Sequence, residues 1–337
     1  MKAKNFVTSS NFAKHSNFIY SEIISNEEFQ EKSLTNVYVI TKNKNFVWYK
    51  VKELNISTND IIFTNSTLIE CLFNDLKNLK SVKNLKIITG QNDRLINHKI
   101  VSKIPDCVSE LHAVNLVTEN SKVNSLPIGL ANQYSIKNLH VGDFLEKRQL
   151  NKKDKIYINF NESTNRNERT NLKNKFNNYS WATIQNNNLS KKEYLNDLRS
   201  HHFVLCPWGN GIDTHRVWET LYSKSIPVVK YHPTYSHLKN LPIIFVNDYE
   251  EVTYELLSEK LRYFESQNLG DSYLEIKYWM KNITKKKIED ITNEKIISDS
   301  SFFNSYWRKR RLIKMINDNL KYFKFKIFQI KNLFKTN

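Results

Sequence analysis

Short apolar runs alternate with polar or helically periodic stretches along the whole chain. Val37–Ile40, Phe46–Tyr49, Ile61–Thr64 and Leu85–Thr89 are rich in β-branched and aromatic residues, which predicts strands. Leu68, Leu72, Leu76 and Leu79 recur on one face and predict a helix over Thr67–Leu79. Val123–Gly129 reads as a further strand, ending in Pro127-Ile128-Gly129. The second half is clearer. Lys155–Phe160 is a strand, and the polar loop behind it carries Arg166 and Arg169 into a helix. Trp181–Ile184 is another short strand, and Ser190-Lys191-Lys192-Glu193 is a capping box that starts a helix running to Ser200. His202–Cys206 is a strand stopped by Pro207, the loop Trp208–Gly211 leads into a helix over Asp213–Ser223, and Ile226–Val229 is the next buried strand. Strands and helices alternating in this way indicate βαβ units, parallel pairing and an α/β fold.

Length and composition refine this. The 337 residues exceed one small core and suggest two domains of roughly 150 residues. The polar, aperiodic segment Ala131–Lys155 is the expected link. We therefore divide the chain at 1–140, 141–295 and 296–337. Hydrophobic residues at 40% and charged ones at 25% exclude a disordered or fibrous protein. Cys71, Cys107 and Cys206 show no Cys-X-X-Cys spacing, so neither a disulfide framework nor a zinc knuckle is expected. Apolar stretches such as Leu241–Val246 are too short to span a membrane, and the N-terminus has no apolar signal core. A cytoplasmic setting is the expectation.

Charge is unevenly spread. The net charge is +17, and from Tyr306 onward ten basic residues face one acid, Asp318, which is more than half of the excess. Leu312, Ile313, Ile316, Leu320, Phe323, Ile327, Ile330 and Phe334 fall close to helical spacing among those cations. Two readings fit: a basic amphipathic helix on the anionic inner face of a membrane, or a terminal helix docking its stripe on the body. Nucleic-acid binding comes third, because no reader motif accompanies the charge.

Chemistry concentrates between Phe203 and Leu221. The order there is strand, glycine loop, helix start. Gly209 and Gly211 let a ligand approach the main chain, and Asp213 or Thr214 can cap the helix. Its free amides and positive dipole favour an anion, and Arg216 adds a planar cationic fork suited to phosphate. Glu219 lies one turn on, where it can accept from ribose hydroxyls. Arg166 and Arg169 add positive charge at the carboxyl end of a neighbouring strand, where open α/β sheets bind ligands.

These residues resemble the exostosin-like glycosyltransferases. The matching features are Pro207-X-Gly209-X-Gly211, Asp213-Thr214-His215-Arg216-X-X-Glu219 and Ser225-Ile226-Pro227-Val228-Val229. Asn159-Phe160 with Asn165 and Arg169 is similar to the opening of the family's donor domain. Pro127-Ile128-Gly129-Leu130 and Gly90-X-X-Asp93 are similar to its acceptor half. The resemblance covers Ile156–Val246, extends more loosely over Ile87–Leu130, and leaves out the first 35 residues and the tail.

The resemblance implies a GT-B architecture, two Rossmann-like domains facing a cleft. It implies inverting transfer of a sugar from a nucleotide diphosphate sugar, a UDP-sugar foremost, to a glycan or lipid-linked glycan. No metal and no other cofactor is implied. Arg216 would meet the diphosphate and Glu219 the ribose, with Gly209, Asn210 and Gly211 lining the phosphate loop. The chain departs from animal members in lacking an N-terminal anchor, so bacterial or viral members acting on surface polysaccharide are the better analogue. No Asp-X-Asp triplet occurs, which leaves the leaving group to Arg, Lys and helix amides. For the base on the acceptor hydroxyl, Asp93 leads, with Asp213 and His215 as rivals.

Blander readings stand beside these. His201, His202, Cys206 and His215 cluster in sequence, yet alternation of His202 and Cys206 on a strand is a packing pattern rather than a zinc site. Trp208 and Trp218 read as core or loop-wall aromatics, with base stacking by Trp208 the other option. Tyr231, His232 and Tyr235 either touch the donor sugar or close a loop. Two further function classes remain: a silent glycan-binding relative, and a nucleic-acid-binding protein using the tail.

Overall fold

A computed structural model describes residues 1–333 except 147, 149, 186–187, 268 and 286–289; for 317–318 and 321–333 it describes the backbone alone. The tail residues Phe323, Ile327, Ile330 and Phe334 of the expected apolar stripe therefore lie outside the described side chains.

The first half carries β1 (Phe18–Ile24), β2 (Val37–Lys42), β3 (Val47–Val51), β4 (Glu53–Ser57), β5 (Ile61–Asn65), β6 (Leu85–Gly90), β7 (Val108–Ala113) and β8 (Val123–Ser125). Its helices are α1 (Ser9–Lys14), α2 (Asn26–Glu31), α3 (Ile69–Leu76) and α4 (His98–Val101). The second half carries β9 (Lys153–Ile158), β10 (Ala182–Ile184), β11 (His201–Leu205), β12 (Ile226–Lys230) and β13 (Ile244–Val246). Between and after them come α5 (Arg166–Phe176), α6 (Lys191–Arg199), α7 (His215–Tyr222), α8 (Tyr254–Ser266) and α9 (Ile276–Ile283). β14 (Asn293–Ile297) and α10 (Ser300–Leu333) follow.

Two sheets are predominantly parallel, in keeping with Rossmann-like folds. The first has the order β2-β3-β1-β5-β6-β7-β8, with β1 and β5 to β8 parallel and the β2–β3 edge antiparallel. The second has the order β10-β9-β11-β12-β13, parallel throughout. In both, alternate residues of a strand enter different cores. Tyr157, Val204 and Val229 face one side of the second sheet, while Ile156, Ile158, Phe203, Leu205 and Val228 face the other. Burial on both faces explains why these strands read as near-continuous apolar runs.

The two halves share a core. Phe6, Phe12, Phe63, Ile88 and Ile128 join Tyr157, Val204, Ile212, Trp218 and Leu238 in one cluster. The segment expected as a link belongs to it: Ala131 is buried, Leu139 and Phe144 enter the cluster, and the Phe144 ring lies 5.7 Å from that of Tyr222. The strand expected over Val123–Gly129 stops at Ser125. Beyond it Pro127 has no amide to pair, and Gly129 takes a left-handed φ of 69°. The expected Thr67–Leu79 helix is shorter, a 3₁₀ turn over Ser66–Leu68 running into α3.

The chain's last part returns to the first half. β14 pairs with β4, so the expected boundary at 295/296 falls inside a strand. Glu294 on β14 accepts from the amides of Lys80, Ser81 and Val82 at 3.2, 2.9 and 3.0 Å. Those amides, Val82 foremost, hold its pKa down to about 2. Phe303 of α10 lies 5.2 Å from the buried Lys50 ammonium, which also sits 4.9 Å from the Tyr20 ring and 3.6 Å from Asp75 Oδ2. Tyr306 accepts from Arg94 Nη1 at 3.0 Å, and Trp307 packs edge-on against Trp48.

Candidate functional site

The strand order of the second sheet creates a crevice. From β9 the chain moves to β10 on one side and then to β11 on the other, and ligands of open α/β sheets bind outside the carboxyl ends at such a reversal. Two loops flank this place, one after β9 with Asn159–Asn165 and one after β11 with Cys206–Thr214.

Arg169, buried on α5, holds the two loops together. Its Nε donates to Trp208 O at 2.8 Å and Nη2 to Pro207 O at 2.9 Å, while Nη1 donates to Asn161 O at 2.9 Å and Thr164 Oγ1 at 2.6 Å. Burial, with Arg216 nearby, lowers its pKa to about 10. A Cβ on Gly209 would stand 3.2 Å from Arg169 Nη2, so this glycine makes room for the brace. Asn210 is exposed at the loop tip.

Gly211 also makes room for a side chain, one from the other half of the chain. Asn115, just beyond β7 and in a left-handed conformation at φ 55°, accepts on Oδ1 from Ile212 N at 3.0 Å and Asp213 N at 2.9 Å. A Cβ on Gly211 would lie 2.7 Å from Asn115 Nδ2, which is buried without a hydrogen-bond partner. Two amides between the expected phosphate loop, Gly209–Gly211, and α7 therefore already have an acceptor.

Asp213 is buried and crosses the same seam. Its Oδ2 accepts from Ile128 N at 2.8 Å, and both oxygens stand 3.3 Å from Trp218 Nε1. Burial drives its pKa up to about 7, against the pull of those donors. A carboxyl with a raised folded pKa keeps a proton that the unfolded chain releases, so folding stability falls as pH rises from about 4 to about 7. The loss over that interval is on the order of 3 kcal/mol. Asp213→Asn should flatten that part of the stability profile, and urea titrations of both proteins at each pH check it. Parallel profiles would show that Asp213 does not titrate in this range.

α7 begins at His215 with Thr214 as an extended N-cap, whose Oγ1 is buried without a hydrogen-bond partner. Arg216 is half-buried. Its Nη1 donates to Tyr194 OH at 3.0 Å, and its guanidinium lies 5.5 Å over the Tyr194 ring. Tyr194 in turn donates to Glu219 Oε2 at 2.8 Å. Burial works against the Arg216 charge, but Tyr194 and Glu219 outweigh it and the pKa rises, so the group stays cationic. Glu219 itself is only 5% exposed. His215 Nδ1 lies 2.8 Å from Gly129 O, and a carbonyl partner requires the proton on Nδ1, so in the neutral ring Nε2 is the acceptor.

Other expected residues stand apart. Arg166 is exposed at the first position of α5, and Asp93 is exposed in the turn after β6. Among the described residues no hydrogen bond or ion pair joins either to Arg216. Trp208 forms a loop wall, donating Nε1 to Lys230 O at 3.0 Å and meeting His232 edge-on. Tyr235 is buried and hydrogen-bonded to Ile212 O, and Trp218 lies in the core. His201 is bonded to Asp197 O and Thr183 Oγ1 at 2.7 and 3.1 Å, and His202 faces Asp154. Among the described residues no group of three His, Cys, Asp or Glu side chains is placed to hold a metal ion. Two cavities, of about 840 and 850 Å³, lie away from the crevice. Sequence reading missed Tyr194, which meets α7 at Arg216 across 22 residues, and Asn115, which meets the loop at Asp213 across 98.

A parallel sheet with a strand-order reversal and a cationic helix start beside it is in keeping with a Rossmann-like fold, whose ligands lie at such a reversal. Residues 138–300, a little under half of the chain, match the family described as the RXYLT1 C-terminal domain, a family of exostosin-like glycosyltransferases. No curated protein matches the chain.

Proposed function

We propose that the chain is an inverting, metal-independent glycosyltransferase of GT-B type that takes a nucleotide diphosphate sugar, a UDP-sugar foremost. The observation that carries this is Arg216, a half-buried cation at the start of α7 beside the β9/β11 reversal. In this reading Arg216 and the first amides of α7 receive the diphosphate, with Arg166 at the rim. Gly209, Gly211, Asn115 and Arg169 shape the loop, and Asp213 holds it to the first half. Glu219 orients Arg216 through Tyr194 and offers what remains of its carboxylate to the ribose.

Chemically, a base removes the proton of an acceptor hydroxyl, that oxygen attacks the anomeric carbon, and the bond to the diphosphate oxygen breaks with its electron pair. We assign the base to His215 Nε2 in preference to Asp93. The acceptor then approaches from the side of Ile128 and Gly129. It is a glycan or lipid-linked glycan, in surface polysaccharide synthesis at the cytoplasmic face. A donor screen tests the reading. UDP- or GDP-sugars should raise the unfolding temperature and release nucleotide in the presence of chelator, while CMP-sugars, with one phosphate, should not. Failure of every diphosphate donor would end it.

A silent glycan-binding relative is favoured by one observation, the occupation of two loop amides by Asn115. Such a protein would bind glycan yet release no nucleotide in the same screen.

A further inference from the structure

We propose that α10 beyond Trp307 seats the protein on an anionic lipid bilayer. This goes beyond the transfer reaction and does not depend on it. α10 is one helix with two environments. Up to Trp307 it is locked to the first half, with Phe302, Phe303, Tyr306 and Trp307 packed on that core. Beyond that point the described apolar side chains face solvent: Leu312, Ile313, Met315, Ile316 and Leu320 are 53, 47, 56, 47 and 52% exposed. The alternative that this stretch docks on the body is thus not what the fold shows for residues 312–316 and 320.

Leu312, Ile313, Ile316 and Leu320 recur at helical spacing and share one face. By the same spacing Arg308 and Arg310 flank this face and Arg311 and Lys314 lie on the polar side of the helix, and no acidic residue occurs between Asp299 and Asp318. That combination selects the occupant. A second copy of the helix would cover the apolar face but set like charges against each other. A nucleic acid would answer the charge and leave the apolar face wet. A bilayer surface with acidic headgroups satisfies both, by apolar insertion at the acyl boundary and by attraction to the cations. Among the described residues no helix is long and apolar enough to cross a membrane, so the contact is with the surface. The cavity of about 850 Å³ at the root of this stretch, walled by Ile40, Phe46, Trp48, Trp307, Arg310 and Lys314, adds aromatic and cationic groups of the kind that sit at headgroup level.

The test is co-sedimentation of the full chain with vesicles. Vesicles of phosphatidylcholine with about 30% phosphatidylglycerol should bind at least about tenfold more protein than phosphatidylcholine alone at low salt. The excess should largely vanish at about 0.5 M salt. Leu312→Gln, Ile316→Gln and Leu320→Gln together should cut binding to the anionic vesicles about tenfold without changing the unfolding curve, because these side chains are exposed. Equal or negligible binding to the two vesicle types overturns the proposal. So does a dimer in sedimentation equilibrium that the triple variant dissolves, or binding to nucleic acid without binding to vesicles.

Discussion

Arg216→Ala is expected to lower sugar transfer roughly a hundred- to thousandfold, the usual cost of deleting one preorganised donor to a departing oxyanion. The fold should tolerate the change. Arg216 only donates into the Tyr194–Glu219 pair, and Tyr194 OH keeps its own acceptor, Glu219 Oε2, when the guanidinium is gone. Urea unfolding should therefore move by no more than about 1 kcal/mol. Arg216→Lys restores the charge but not the planar fork, and should recover part of the loss at most. The measurement is initial-rate transfer with the donor identified by screening, beside unfolding of each variant. Undiminished transfer by the alanine variant removes Arg216 from the reaction.

Gly129→Ala should be the most destabilising single-methyl change in the chain. At φ 69° the residue holds a conformation that costs an L-residue about 1–2 kcal/mol. The added Cβ would also stand 2.1 Å from Val7 O and 2.5 Å from Val7 C, which are backbone atoms. Val7 cannot retreat cheaply. Its amide donates to Tyr222 OH at 2.9 Å, its carbonyl accepts from Leu130 N at 2.9 Å, and Tyr222 donates onward to Leu274 O at 2.6 Å. Strain and overpacking together should take about 3–5 kcal/mol from stability, read as a lowered urea midpoint. His215 offers a second readout. Its Nδ1 partner is Gly129 O, so a shift there should disturb the imidazole resonances. A variant as stable as the parent would mean that this turn is looser than it stands.

The sequence made four of the five strands of the second sheet legible, all but β13, and the reason is physical. β9 from Ile156, β11 from Phe203 and β12 up to Val229 are buried on both faces, so those stretches are uninterrupted apolar runs, and Ser190 with Glu193 marks the start of α6 by local chemistry. β1 and β7 escaped because charged residues break their runs. Glu22 sits within β1, paired with Lys32 Nζ at 2.6 Å and Tyr49 OH at 2.7 Å, and Glu110 within β7 pairs with Lys86 at 3.0 Å. β14 was invisible for another reason, since its partner β4 lies more than two hundred residues away and its pattern is mostly exposed. At the proposed site, residue types and order pointed to the loop after β11, but not to which of its atoms are already engaged. Gly209 and Gly211 looked like access for a ligand, whereas Arg169 and Asn115 use the space they leave. Nothing in a linear pattern announces a side chain that arrives from another sheet.

The return of β14 and α10 bears on the order in which the protein can be made. As the chain leaves the ribosome, the second sheet is complete once Val246 has emerged, while the first half still lacks the strand beside β4 and the aromatic cover over Lys50. The half that is synthesised first is thus finished last, after Trp307. Until then Leu54, Ile56 and Phe73 remain without their late-arriving neighbours, a nascent surface that chaperones would recognise.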